Sequence, residues 1–209
     1  MGGPTRSQAP SRRAERAAAA KRAAARRRRR PFYLAGGLAV LGAVIGLVVA
    51  SSGGGAGSLP RGTKIFPEND HQHVTGSVHY NRTPPAGGPH SAIWLNCGVY
   101  VAPVPNVNAV HSLEHGAVWI TYRPSLDQAG VAELRQFVET HYDGTQRYLL
   151  LSPYPGLPAP VVASAWGAQL RLDGPGDPRL SAFVAHFIGG AQGGEPGAPC
   201  TGGTGSPVG

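Results

Sequence analysis

The 209-residue sequence predicts an α+β fold: one compact domain with a mixed sheet, two main helices packed on it and a loop-rich N-terminal half. Three observations predict it. Between residues 117 and 188, apolar runs of strand length alternate with two stretches of helical periodicity, in the order β-α-β-β-α. Residues 63–108 are instead dense in Pro, Gly, Asn and His, with few long apolar runs. Ahead of both lies an uncharged apolar segment that sets this domain apart from a basic tail.

The elements follow in order. Short strands are expected around His79-Tyr80 and Gly98–Val101, because brief apolar runs there are bounded by turn formers. Ala117–Tyr122 (AVWITY) reads as a strand. Ser125 or Asp127 can cap a helix running to about His141, with Val131, Leu134, Phe137 and Val138 on its apolar face. Arg147–Leu151 is a second strand, Val161–Leu172 a third with a bend at Gly167, and Pro178–Ile188 a second helix. The folded unit then runs from Thr63 to Ile188, about 125 residues, enough for one core. Residues 189–209 are Gly/Pro-rich and read as irregular, pinned only at Cys200; the domain boundary is set at 63–202, with 203–209 a disordered tail. There is no internal repeat.

The net charge of +8 is confined to one end. Of the 19 basic side chains most lie in residues 1–30, which hold a single acid, Glu15, and end in Arg26–Arg30. Alone, such a run suggests nucleic acid. Residues 32–50 change the reading, since none carries a charge and at about 1.5 Å per residue they span roughly 28 Å, near the hydrocarbon thickness of a bilayer. Basic flanks stay cytoplasmic. Residues 31–51 are therefore expected as a transmembrane helix and 1–30 as a cytoplasmic tail, disordered or helical against anionic lipid headgroups. Residues 52–62 become a linker and the rest is extracytoplasmic, with no nucleic-acid partner and no protein partner indicated. A cleaved signal peptide competes, with Val48-Val49-Ala50 near its cut, but signal cores are shorter, about 7–15 residues.

Both cysteines, Cys97 and Cys200, lie in the exported part, where a disulfide is the expected pairing. A loop of that length gains about 4–5 kcal/mol in the chain-entropy picture. The alternative is Cys97 as a thiolate ligand of a copper-type site.

The chemistry concentrates in the histidines. Six of the eight fall between His71 and His115. His111-Ser112-Leu113-Glu114-His115-Gly116 sets two imidazoles four residues apart, on one face of a two-turn helix if Asn108 caps its start and Gly116 its end. His-x-x-Glu-His also matches the inverzincin motif, in which Glu114 would be general base on zinc-bound water, although that motif needs a longer helix and a remote carboxylate ligand. The plainer reading is a hydrogen-bonded histidine pair whose tautomer Glu114 fixes. Asp70-His71-Gln72-His73 can point both imidazoles the same way in a strand, and His90 follows a rigid Pro/Gly loop. His141 and His186 sit near helix C-termini, where the dipole explains them. Imidazole suits Cu(II) and Zn(II) equally. The single methionine is Met1, so no Met-rich Cu(I) site exists.

Several separated motifs agree in order with one family. His73-Val74, Tyr80, Pro84-Pro85-x-Gly87-x-x-His90, Trp94, Cys97-Gly98-x-Tyr100, the Val110–Val118 segment, Leu151–Leu157, Ala165-Trp166-Gly167 and Ala198-Pro199-Cys200 resemble the DUF3105 family. These are bacterial, mostly actinobacterial, single-pass membrane proteins of unassigned function. The resemblance implies His73, His90, His111 and His115 as ligands of one copper or zinc ion, with Glu114 as orienter or occasional ligand. It tilts the metal toward copper. The expected role is metal binding by an envelope module. A zinc hydrolase using Glu114 is one alternative; the other is a non-metal interaction module using Tyr80, Trp94, Tyr100 and Trp119.

Overall fold

The computed structural model describes residues 59–141 and 148–208. The basic tail, the expected transmembrane segment 31–51 and most of the linker lie outside the described residues. Among those described, no helix is long and apolar enough to cross a membrane.

The sheet has six strands: β1 (Lys64–Ile65), β2 (Gly98–Val99), β3 (Val118–Tyr122), β4 (Leu149–Pro153), β5 (Val161–Ala165) and β6 (Ala168–Leu172), in the order β1-β6-β5-β3-β4-β2. It is mixed. β4 runs parallel to both β3 and β2, while β3–β5, β5–β6 and β6–β1 are antiparallel. Three helices accompany it: α1 (Asn106–Glu114), α2 (Gln128–His141) and α3 (Arg179–Phe187), with a 3-10 turn at Ala191–Gly193. This is the α+β class that was expected: α2 and α3 are the two main helices, and α1 is the short helix weighed around His111–His115.

β3 explains the layering. All five of its residues are buried, and side chains alternate between faces along a strand. Val118, Ile120 and Tyr122 join Leu134 and Val138 of α2 and Leu180, Phe183, Val184 and Phe187 of α3 in one core. Trp119 points the other way, into a second core with Leu150, Leu95, Trp166 and Ala109, Val110 and Leu113 of α1. A strand with both faces covered reads as an unbroken apolar run, as VWITY does. α2 is the crossover between parallel β3 and β4, a connection too long for a turn and suited to a helix. Its start is held by Asp127, whose Oδ1 accepts from the Gly130 amide at 2.8 Å.

Four expectations differ from the structure. Val161–Leu172 is not one bent strand but the β5–β6 hairpin, with Ala165 opposite Ala168. Gly167, the second central residue of the turn, has a positive φ of 66°, as a type II turn requires at that position. His79-Tyr80 forms no strand; Tyr80 instead donates to the Pro89 carbonyl at 2.7 Å. The second strand begins at Leu149, and Arg147 lies outside the described residues. The C-terminal stretch is tied down at more than Cys200: Asn96 donates to Thr204, Thr204 to Trp94 and Val208 to Val99, at 2.8–2.9 Å. That last contact covers the open edge of β2, which would otherwise expose unpaired backbone. The disulfide joins Cys97 to Cys200 across a separation of 103 residues, so Cys97 is not a thiolate ligand.

Candidate metal centre

α1 places the central side chains. It starts at Asn106 after Pro105, earlier than an Asn108 cap would have it. Proline fixes its own φ for a turn, and the Pro105 carbonyl accepts from the amides of Asn108 and Ala109. Asn108 is spent elsewhere, donating from Nδ2 to the Ile93 carbonyl at 2.6 Å. Ser112 clamps the same loop, donating to the Leu95 carbonyl at 2.7 Å and accepting the Leu95 amide at 3.1 Å. The helix ends as its glycine suggests. Gly116 has φ 97°, and its amide bonds the Leu113 carbonyl. A Cβ there would also press on the backbone of Gly189 at 3.0 Å.

One face of α1 enters the second core through Ala109, Val110 and Leu113; the other carries His111 and Glu114 toward the loops. His90 arrives from the Pro/Gly loop, beside a strand-like segment in which Val74 donates to the His90 carbonyl and His90 to that of Gln72. That bridge aligns His73 with His90. The rings of His73, His90 and His111 form a near-equilateral triangle with centroid separations of 5.0, 4.9 and 4.9 Å. One ligand atom from each, with one carboxylate oxygen of Glu114, fits within 4.8 Å of the others. His90, His111 and Glu114 are buried, while His73, with 42 % of its side chain exposed, forms the rim.

The tautomers follow from the partners. A carbonyl oxygen only accepts, so each Nδ1 facing one carries the proton. His90 Nδ1 donates to the Gly88 carbonyl at 2.8 Å, His111 to Ser91 at 2.6 Å and His115 to Pro199 at 2.8 Å. In the neutral imidazole this leaves Nε2 as a lone pair in all three. Yet His90 Nε2 lies 2.8 Å from Glu114 Oε2. Either a proton or a metal ion can bridge that approach. Burial holds the His111 pKa below the ordinary histidine value; the Ser91 carbonyl opposes this, and His115, His90 and His73 add to it. His111 is thereby kept as the neutral form that ligates.

Around these groups stand further residues, of which His71 and Glu195 were not in the expected ligand set. His71 Nδ1 bonds the other oxygen of Glu114, and its ring stacks on Trp166 with centroids 4.6 Å apart. The alternation Asp70-His71-Gln72-His73 carried that signal, since both imidazoles reach Glu114. Tyr80, whose burial pushes its phenol up to about 12, braces the loop just before His90. His115 packs against His111, with ring centroids 4.5 Å apart, and forms a second set with His111 and Glu195 rather than joining the first. Glu195 sits in a Gly/Pro stretch without periodicity, and nothing in its sequence context marks it.

The hydrolase reading meets an obstacle here. Glu114 has both oxygens engaged, by His71 and His90, and α1 stops within its nine residues. A general base needs a free oxygen facing the water it activates. The aromatic side chains are likewise accounted for within the fold. Trp119 is fully buried, with Nε1 on Ser152 Oγ at 3.0 Å. Tyr100 is buried and donates to the Asn96 carbonyl. Trp94 lies over His111 and His115, with centroids 5.8 and 5.1 Å away.

Residues 71–202 match the family described as "Protein of unknown function (DUF3105)". The chain belongs to the DUF3105 family. Every residue of the two histidine sets falls inside the matched span, as do both cysteines of the disulfide. No curated protein and no solved structure matches the chain significantly.

Proposed function

We propose that this DUF3105 domain binds one divalent transition metal of the zinc or copper(II) class, through Nε2 of His73, His90 and His111 and a carboxylate oxygen of Glu114. The observation that carries the reading is the convergence of His73, His90, His111 and Glu114, whose ligand atoms all lie within 4.8 Å of one another, with Nδ1 of His90 and His111 fixed outward by carbonyls. Backbone carbonyls on the far nitrogen are the usual means by which proteins orient ligating histidines. Ligands about 2.0–2.1 Å from a tetrahedral ion sit roughly 3.3 Å apart. The Nε2-to-Glu114 distances of 2.8 Å for His90 and 3.8 Å for His73 bracket that value. Glu114 thus takes the fourth position expected for His115, and His71 holds its second oxygen.

Three imidazoles and a carboxylate favour borderline ions and offer nothing soft, since both cysteine sulfurs are in the disulfide. On this reading the domain is a membrane-tethered, extracytoplasmic metal-binding module: residues 31–51 span the bilayer and the arginine tail lies on the cytoplasmic leaflet. The test is to strip the full chain in detergent with a chelator and follow its melting on adding zinc or copper(II). The wild type should rise in Tm with one equivalent, whereas His73→Ala should need far more ion for the same rise. Melting that neither ion changes would overturn the proposal.

A further inference from the structure

We infer that His111, His115 and Glu195 form a second, outward-facing metal seat that shares His111 with the first, so that one ion exchanges between the two. This rests on the metal-binding reading above and goes beyond it.

The second set repeats the feature that marks the first. His115 Nδ1 donates to the Pro199 carbonyl at 2.8 Å, which leaves Nε2 as a lone pair, and that lone pair faces Glu195 Oε2 at 3.2 Å. A proton or a metal ion can bridge that approach as well. The His111 and His115 rings meet edge to face with centroids 4.5 Å apart, and one ligand atom from each of the three residues fits within 4.8 Å of the others. His115 is 2 % exposed in its side chain and Glu195 50 %, so this seat has a buried wall and an open mouth. Two histidines and a glutamate form a three-ligand set that leaves a coordination position open.

The segment carrying Glu195 is built into the site. A Cβ on Gly193 would collide with the backbone of Glu114, and one on Gly194 would touch the His71 ring at 3.0 Å, so only glycines allow the chain to pass this close to the end of α1. At its other end the Cys97–Cys200 bridge and the Cys97 amide on the Cys200 carbonyl hold Pro199 against His115.

His111 decides how the seats relate. Its Nδ1 is occupied by Ser91, so it offers a single lone pair at Nε2. One lone pair serves one ion at a time. The seats are therefore alternatives for one ion, the exposed one suited to loading and the four-ligand one to retention. Overall affinity is then the sum of two terms, dominated by the inner seat until a ligand there is removed.

Cobalt(II) titration of the full chain in detergent, followed by its visible absorption, tests this. The wild type should saturate at one equivalent. Glu195→Ala should weaken binding only slightly on its own, but by about tenfold or more in a His73→Ala background, a loss on the scale expected when a metal site is impaired. Both replaced side chains are about half exposed, and melting of the metal-free variants checks that they fold. Two equivalents bound by the wild type would overturn the shared seat. So would a loss from Glu195→Ala in the wild type as large as that in the His73→Ala background. Absence of any cobalt binding by the wild type would instead overturn the metal-binding reading, and this inference with it.

Discussion

Glu114 is the residue on which the site turns. Its side chain is 4 % exposed, and three histidines approach its oxygens, two of them (His71 and His73) at the rim. Glu114→Gln keeps the shape but puts an N–H₂ where one lone pair should accept or ligate. We predict a drop in zinc affinity of about tenfold or more in isothermal titration. The metal-free protein should change far less in Tm, because the amide can still accept one hydrogen bond. His73, His90, His111 and Glu114 were legible from the density and spacing of the histidines and from the family resemblance, which implied ligand roles, but not which ring nitrogen of each histidine is left to ligate. That depends on which carbonyl meets each Nδ1, and those carbonyls (Gly88, Ser91, Pro199) come from loops without periodicity. Glu195 was invisible for the same reason.

Among the elements, those with strong local signals were legible. β3 announced itself by an unbroken β-branched and aromatic run, α2 by its apolar spacing and the Asp127 cap, and the end of α1 by Gly116. The β5–β6 hairpin was not legible, because Trp166-Gly167 interrupts an otherwise continuous apolar stretch without the Asn-Gly or Asp-Gly signal of tight turns. Of the two-residue edge strands, β2 falls within the short strand expected at Gly98–Val101, whereas β1 carries no local signal and pairs only with β6. α3 supplies a test at this scale. Asp177, just before it, accepts from the Arg179 amide at 3.0 Å and from its guanidinium at 2.5–3.2 Å. The Arg179 hydrogen bonds hold its carboxyl well below the usual carboxylate range, against the opposing effect of burial. A depressed carboxyl contributes stability that is complete above the ordinary carboxylate pKa and is lost as pH falls through the folded value. Asp177→Asn should therefore cost about 0.5–2 kcal/mol at neutral pH in urea melts. The gap to wild type should narrow as pH drops below about 4, where the unfolded carboxyl protonates.

At the scale of the molecule, the sheet separates two jobs. α2 and α3 bury one face in an apolar core; α1 and the loop-rich half cover the other and hold the polar cluster. Apart from α1, the cluster is carried by segments of little regular structure, which need tethers. The Cys97–Cys200 bridge is the covalent one, and it sits beside His115. Cys200→Ser should lower unfolding free energy by about 2–5 kcal/mol, read by denaturant titration. It should also weaken cobalt binding most in the His73→Ala background, where the outer seat would carry the ion.

The metal content of the full chain tests the central claim most directly. Expressed without a histidine tag, purified in detergent, dialysed and analysed by inductively coupled plasma mass spectrometry, it should retain about one equivalent of zinc or copper, as a folded-state ligand set binds what the unfolded chain does not. Protein that leaves dialysis without either metal, and takes up neither when it is resupplied, would contradict the account.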